Sequence, residues 1–487
     1  MAHPAYTSMP LHARIHRAIR QLILGGALEP GKSLPATRGL AKSLGVSRDT
    51  IEAAYIQLHA EGFIERRVGS GSFVAELTEF QPTRQKSKRY ELQRNQVSDL
   101  SKRGAATFRG GGVPDAPVPL PFTQGIPETR NFPLQLWERL GRQALKDFGI
   151  KALQHGDPQG AEPLRRAIAD YINLERGAHA SADRILVLNC SQQAITLCAT
   201  MLLDPGDRIF IEDPGYNGAR KAFDAAELES VPVRVDHQGV VVEQVINDSK
   251  GVKAIFLTPS HQFPTGAKLG LDRRLALIDW AAHEKAWIIE DDYDSEFHYS
   301  GKPTACVQGL DPHDRTIYIG TFTKSLFPSL RIGYLVLPPQ LVRPMTVART
   351  VLDGYAAPIT QLTLARFIDG GHFGAHVRAM RTVYAERLET LAGLVELHLS
   401  SFLEARVPIG GLQMPCLLTC DVSERVIIDA AQRDGIKLFG TSALFAGGKG
   451  TPGFLLGFAA YTPREIEVAV KRLANVFHSM TSKQARN

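Results

Sequence analysis

Two strings concentrate the residue types that could do chemistry: EDDYDSEF at 290–297 and GTFTKSLFPSLRIGY at 320–334. Each follows an apolar stretch that reads as a strand, and the loop at a strand's carboxyl end is where α/β proteins hold ligands. Lys324 stands there among small hydroxyl residues. Partial burial and a nearby cation would lower its pKa enough to supply the neutral amine of a Schiff base. Arg331, seven residues on, can supply that cation and a bidentate phosphate clamp. Asp291, at a strand end, can hold a pyridinium nitrogen protonated, which makes a cofactor ring an electron sink. Tyr293 can donate to a phenolate oxygen on the same ring, and Tyr216, after an Asp-Pro-Gly turn, can stack on its face. Ser191, Gln192 and Gln193 open a helix directly after the strand 185–188, so their backbone N–H groups form an anion site.

Each signal has a plainer reading. A lysine on a loop is usually solvated, EDDYD taken alone is also a surface acid cluster or a divalent-metal site, and SQQ is a common helix start. What favours a cofactor is chain order: phosphate helix, stacking aromatic, aspartate, then lysine followed by arginine.

The elements that would position these residues are apolar runs at 185–188, 208–211, 254–258, 286–290 and 316–319, alternating with helical stretches. Continuous apolar strands between helices point to a buried, mostly parallel sheet. Helix patterns at 372–398 and 462–478, around short β-like segments, suggest a smaller α/β subdomain. Ahead of all this, residues 77–117 are polar and basic, then rich in Gly and Pro with almost no apolar periodicity, which reads as a linker.

The N-terminal 76 residues read differently. Leu11 to Leu24 has helical spacing; Thr37 to Leu44 is a short helix broken at Gly45; Ser47 caps another running to Leu58. Phe63 to Val74 then reads as two strands around a Gly69-Ser70-Gly71 turn, a basic wing. In a helix-turn-helix the second helix enters the major groove N-terminal end first. Arg48 would there reach a guanine edge or a phosphate, Ser47 and Thr50 phosphate oxygens, and Arg66 and Arg67 the backbone or minor groove.

Composition agrees with a folded protein of several domains: 487 residues, 44% hydrophobic and 22% charged. The net charge of +6 is unevenly placed. Residues 1–75 hold nine Lys/Arg against five Asp/Glu, and residues 76–110 hold eight against four, so the excess sits where a polyanion would bind. Five cysteines without a CxxC pair favour neither a disulfide framework nor a zinc module. With no apolar h-region and no run of about 18 apolar residues, a cytoplasmic protein without a membrane span is expected.

The string from Gly25 to Val74, with its LGVSR turn, LxxxGF exit and GxGxFV wing, resembles the winged helix-turn-helix of the GntR regulators. That resemblance implies Arg38, Arg48 and Gly71 at the DNA. Residues 118–480, with QHGDPQGAEPLRRAI at 154–168, EDPGY at 212–216 and TPSHQFPTG at 258–266, resemble the fold type I pyridoxal-phosphate aminotransferases. TPSHQFPTG and EDDYDSEF look like the version found in MocR-type regulators, in which a GntR-like arm is fused to an aminotransferase-like domain. The implied organisation is a winged helix over 1–76, a linker over 77–117 and an effector-sensing domain over 118–480.

By the same resemblance pyridoxal 5'-phosphate would be joined to Lys324, with Asp291 at its ring nitrogen, Tyr293 at its phenolic oxygen and Tyr216 stacked on it. Thr321, Thr323, Arg331 and Ser191–Gln193 would hold its phosphate. The family asparagine before the prolyl turn is missing, and His261 or Gln262 would take its place. Two further departures bear on the ligand. Leu455, in FLLGF at 454–458, stands where aminotransferases carry the arginine that grips the substrate carboxylate, and Gly218 stands where the GABA-responsive type carries a second one. The expectation is a homodimeric regulator that binds an operator with paired half-sites and exchanges a small amine, not GABA-like, at Lys324 by aldimine exchange, with little or no transaminase activity. Its rivals are an active aminotransferase with a DNA-binding arm and a sensor of pyridoxal phosphate itself.

Overall fold

The computed structural model describes residues 9–67, 70–76, 100–113, 119–300, 304–448 and 450–484. They form two compact units that divide between Asp99 and Leu100.

In the first unit the helices Leu11–Leu24, Thr37–Leu44 and Arg48–Ala60 precede a hairpin of Ile64–Arg67 (β1) and Gly71–Val74 (β2). Local signals account for the boundaries. Gly45 takes the left-handed φ of 66° that the turn between the second and third helices requires. Ser47 caps the third helix, its Oγ accepting from the backbone N–H of Thr50 at 3.2 Å. Ile15, Ile19, Ile51, Ala54 and Leu58 close a core against Ile64 and Val74. Tyr55 donates its hydroxyl to the carbonyl of Pro35 at 2.9 Å, fixing the chain where it enters the second helix.

The second unit contains an eight-stranded sheet of Ile185–Leu188 (β3), Arg208–Asp213 (β4), Glu229–Asp236 (β5), Gly239–Val240 (β6), Val252–Leu257 (β7), Trp287–Asp292 (β8), Thr316–Thr321 (β9) and Gly333–Val336 (β10). Their order in space is β3-β10-β9-β8-β7-β4-β5-β6. β5, β4, β7, β8 and β9 are parallel; β10 runs against both β9 and β3, so β3 shares the common direction. Apolar clusters line both faces of the sheet, as the continuous apolar strands require. A smaller antiparallel sheet of Leu403–Ala405 (β11), Gln413–Leu418 (β12), Phe439–Gly440 (β13) and Gly453–Gly457 (β14), in the order β11-β12-β14-β13, packs with the long helices His372–Leu399 and Pro463–Gln484 around its own core.

Two features differ from the sequence reading. β10, which begins in the last two residues of the 320–334 string, is not among the apolar runs read as strands. A helix, Lys102–Gly110, forms within the stretch read as an aperiodic linker; it buries only Ala105 and packs on the helix Asn217–Ala225, too small an apolar face to register as a period. Val68 and Gly69 of the wing turn, and residues 77–99 and 114–118 of the linker, lie outside the described residues. Among the described residues no helix is long and apolar enough to cross a membrane.

Between the linker and the helix Leu134–Phe148, residues 119–131 form an irregular strap. Phe122 bridges Gly457 on β14, and Glu128, 2% exposed, anchors the far end. Its carboxylate accepts from Arg387 Nη2 and Arg130 Nη2, both at 2.8 Å, and Arg130 reaches on to Glu465 at 3.0 Å. Burial opposes the ionised form of Glu128, yet the bonds from Arg130 and Arg387 more than offset it and hold the carboxyl below the usual range. Its contribution is therefore present above pH ~4.3 and lost as pH falls through the lower folded value. Glu128→Ala leaves Arg387 buried without its partner and is expected to cost the second unit about 3 kcal/mol. Denaturant unfolding at pH 7 measures this, and the gap to the unaltered chain should shrink at pH 3.

Candidate functional site

Because β3, β9, β8, β7 and β4 run the same way, their carboxyl ends share one rim. The rim receives Ser191 after β3, Lys324 after β9, Asp291 at the end of β8, the 258–262 turn after β7 and Tyr216 after β4. Residues more than 130 positions apart in the chain meet there by strand pairing alone.

Lys324 is half-buried, and its Nζ donates to the carbonyl of Gly125, on the strap, at 2.9 Å. A Cβ on Gly125, whose φ is 63°, would stand 2.8 Å from that nitrogen, so the strap approaches the lysine because this residue is glycine. Sequence reasoning missed Gly125, since nothing local marks a carbonyl that meets a side chain 199 residues on.

Glu290, Asp291, Asp292 and Asp294 are buried, which removes the surface-cluster reading. Glu290 accepts from the backbone N–H of Val307 and Gln308 at 3.0 Å, with Arg274 at 3.9 Å. Asp292 accepts from Arg176 Nε at 2.9 Å and Tyr318 at 2.7 Å, and Asp294 meets His261 Nδ1 at 2.9 Å. Asp291 is 4% exposed, and its Oδ1, like that of Asp292, has no hydrogen-bond partner. Burial, reinforced by Asp292, Asp294 and Glu212 and opposed by Lys324, pushes its carboxyl up to about 8. A protonated ring nitrogen fits such a group, since it supplies both the missing donor and the missing positive charge. Among the described residues no group of three or more His, Cys, Asp and Glu side chains is arranged to hold a metal ion.

One wall of the site is aromatic. Phe263 lies between Tyr216 and Tyr293, edge to face with both, at 5.8 and 6.2 Å between ring centroids. Leu455 and Leu444, both fully buried, complete this cluster. Leu455 thus makes apolar packing of the position at which a carboxylate clamp was sought. A Cβ on Gly218 would fall 2.3 Å from the ring of Tyr216, so the tyrosine already occupies the space of any side chain there.

The helix Ser191–Leu202 begins without a side-chain cap, and its first N–H groups remain directed at the rim. A Cβ on Gly333 would come within 3.2 Å of Ser191 N, so glycine lets β10 pass close beneath the helix start. Gln192 Nε2 donates to the carbonyl of Gly218 at 2.8 Å, tying this helix to the Tyr216 segment. The side chain of Gln193 is engaged, accepting from Asn189 N and donating to Asp353, both at 2.9 Å. Its backbone is what remains for an anion. Thr321 is buried and its Oγ1 accepts from Thr323 N at 3.2 Å; Arg331 is exposed at the head of β10 with φ 51°.

The replacements sought for the missing asparagine have other partners. Gln262 is bound within its own turn, donating to the carbonyls of Pro214 and Phe263 and accepting from Thr265. His261 faces Asp294 and packs against Gly410, where a Cβ would stand 2.4 Å from its ring.

In the first unit Arg38 and Arg48 are exposed at the starts of their helices. Ser47 Oγ and Thr50 Oγ1 lie 2.7 Å apart, so their hydroxyls serve the helix cap before any phosphate. Arg66 is paired with Glu52 at 2.8 Å, and Arg67 covers the ring of Phe73 at 4.8 Å. Gly71, with φ 104°, pairs with Arg67 at the tip of the hairpin.

The pattern of the family "Aminotransferase class I and II" matches residues 132–405, and that of "Bacterial regulatory proteins, gntR family" matches residues 11–74. The chain is 35% identical to the "Probable rhizopine catabolism regulatory protein MocR" of Rhizobium meliloti, over 98% of this chain and 96% of that one. It is 30% identical to the "HTH-type pyridoxine biosynthesis transcriptional regulator PdxR" of Corynebacterium glutamicum, over 93% of each. Among solved structures it is similar to the multiple substrate aminotransferase of Thermococcus profundus, with 26% identity and a TM-score of 0.70 over 79% of this chain and 98% of that one.

Since Asp291 keeps its proton in the folded chain up to about pH 8 and loses it near pH ~4 when unfolded, folding binds a proton between these values and stability falls as pH rises across them. In the ligand-free chain, Asp291→Asn is expected to unfold at higher temperature than the unaltered protein at pH 8, with the difference vanishing near pH 4. A difference that stays constant across thermal melts at several pH values would mean that Asp291 ionises freely.

Proposed function

The chain belongs to the aminotransferase class I and II family and carries a gntR-family domain ahead of it, the pairing of the MocR subfamily of transcription regulators, and on that basis we propose that it senses a small amine through pyridoxal phosphate held at Lys324. The observation that carries this reading is the juxtaposition of Lys324 with Asp291, whose buried Oδ1 lacks a partner. Asp291 would hold the ring nitrogen protonated, Tyr293 would donate to the phenolic oxygen, and Tyr216 would cover a face. The uncapped start of Ser191–Leu202, with Thr321, Thr323 and Arg331, would take the phosphate. Bound there, the cofactor would supply an electrophilic carbon at which the amine of Lys324 and an incoming primary amine can exchange, one being released as the other is joined.

With Leu455 packed among Phe263, Leu444 and the two tyrosines, and no room at Gly218, neither guanidinium of a carboxylate-gripping pair is present. The effector is therefore an amine without an α-carboxylate clamp to hold it. Transamination needs a rigidly oriented substrate, so the site suits binding and exchange better than turnover. Arg38, Arg48 and the wing would bind the operator, as one of a pair of half-sites in a homodimer. A second reading, in which pyridoxal phosphate is itself the effector, draws support from the relative named for pyridoxine biosynthesis regulation.

Lys324→Ala is expected to abolish the visible absorption band that added pyridoxal phosphate produces in the unaltered chain and to leave DNA binding intact. A band that persists would remove Lys324 from the reading, and turnover of an amino acid with a 2-oxo acid at ordinary enzyme rates would replace it with an enzyme. Against a DNA fragment selected from random sequence, Arg48→Ala should weaken binding about tenfold, and affinity should fall steeply with salt. An operator response to pyridoxal phosphate alone, with no added amine, would favour the second reading.

A further inference from the structure

The helix Arg48–Ala60 turns one face inward and another outward, and the two differ in chemistry. Ile51, Ala54, Tyr55 and Leu58, all 1% exposed or less, seat it in the core of the first unit. At 3.6 residues per turn, the positions opposite that seat are Asp49, Ala53, Ile56 and Ala60, spread over about 60° of the helix circumference. All four are exposed, Ile56 at 53%. The outward stripe is therefore one carboxylate, one branched apolar side chain and two methyl groups.

The polar residues beside the stripe are occupied. Glu52 accepts from Arg66 of the wing at 2.8 Å, and Gln57 donates to Glu61 at 3.1 Å. Ser47 and Thr50 close the helix cap on each other. Asp49 has no hydrogen-bonding or ion-pairing partner among the described residues. Its place in the first turn suits the helix dipole, which accounts for the acid but not for the apolar residues aligned with it.

In a helix-turn-helix this helix enters the major groove N-terminal end first, so the stripe meets the base edges, with Arg48 to one side. An ionised carboxylate there is repelled by phosphates and can only accept a hydrogen bond. The groove offers two donors, N4 of cytosine and N6 of adenine, and adenine carries the N7 acceptor alongside, which repels an acid. Cytosine is the better match. Ala53 has only a methyl group to separate the backbone from the bases, and the apolar surface of Ile56 finds its complement in the C5-methyl of thymine. Along the helix axis Asp49 and Ile56 are about 10 Å apart, the rise of about three base pairs.

We propose that Asp49 and Ile56 set the sequence preference of the first unit, Asp49 selecting a cytosine and Ile56 a thymine about three base pairs away. Arg48 and the wing supply the hold on the phosphates. This rests on the reading of the first unit as a DNA binder. Asp49 also acts against other sequences: where no cytosine donor meets it, its charge faces acceptors and phosphates, and affinity falls.

The test starts from a duplex selected from random sequence by the full chain. Each C·G pair is replaced in turn by T·A, and separately each thymine by deoxyuridine, which removes only the methyl group. At one cytosine, replacement is expected to weaken binding by the unaltered chain about tenfold and by Asp49→Ala hardly at all. Asp49→Ala should also bind unselected DNA more tightly than the unaltered chain does. At a thymine about three base pairs away, deoxyuridine should cost the unaltered chain about fourfold and Ile56→Ala nothing. A purely structural role for Asp49 would lower the melting temperature of Asp49→Ala and leave its base preference unmoved, which would overturn the proposal. A thymine effect that persists in Ile56→Ala would remove Ile56 from it. Failure of the unaltered chain to bind any duplex at low salt would overturn the DNA-binding reading itself, whereas binding that does not depend on Asp49 overturns only this assignment.

Discussion

The second unit is organised around the cost of burying acid. Glu290, Asp291, Asp292 and Asp294 lie at or just beyond the end of one strand, each under 5% exposed, with Glu212 near them at the end of β4. Ionised carboxylates at that density survive only if each meets a cation or a set of donors. Arg176 serves Asp292, His261 serves Asp294, backbone N–H groups with Arg274 serve Glu290, and Thr258 serves Glu212. These partners come from the helices Glu162–Arg176, Leu271–Glu284 and Val307–Leu310 and from the β7 turn, so meeting the demand also fixes how those segments dock. Asp291 has a buried oxygen without a donor and no cation paired with it among the described ion pairs, which couples the energetics of the rim to whatever binds there.

This arrangement explains which parts of the molecule were readable from the chain. The first unit was legible nearly to the residue, because Gly45, Ser47 and Pro35 act within a few positions of where they stand. The strands were legible as apolar runs because both faces of the sheet are covered. Ser191, Tyr216, Asp291 and Lys324, far apart in the chain, come to one rim because parallel pairing places these carboxyl ends on the same edge. What stayed hidden depends on contacts distant in sequence or faint in pattern. Gly125 matters through one carbonyl, β10 is four residues between a turn and a helix, and Lys102–Gly110 buries a single alanine. The partner of His261 could not be inferred either, since Asp294 reads as one acid among four.

The strap from 119 to 131 links these themes. It is the first segment of the second unit after the linker, it bridges the smaller sheet through Phe122, it holds the nitrogen of Lys324 through Gly125, and its far end is locked to the long helix His372–Leu399 through Glu128. A change in the bonding of Lys324 therefore acts directly on a segment that joins the rim, the small subdomain and the chain leading towards the linker. Coupling of this kind needs no turnover, only two arrangements whose balance a ligand shifts.

The glycine at 218 carries an evolutionary consequence. Because the ring of Tyr216 fills the space beside it, the two positions are epistatic: no side chain can be gained at 218 while the tyrosine keeps its pose, and moving the tyrosine disturbs the wall it forms with Phe263. An arginine at 218 would require the tyrosine ring to leave the place it occupies here. Ligand preference in such a chain should drift by changes elsewhere in the apolar cluster rather than by gain of an arginine at 218.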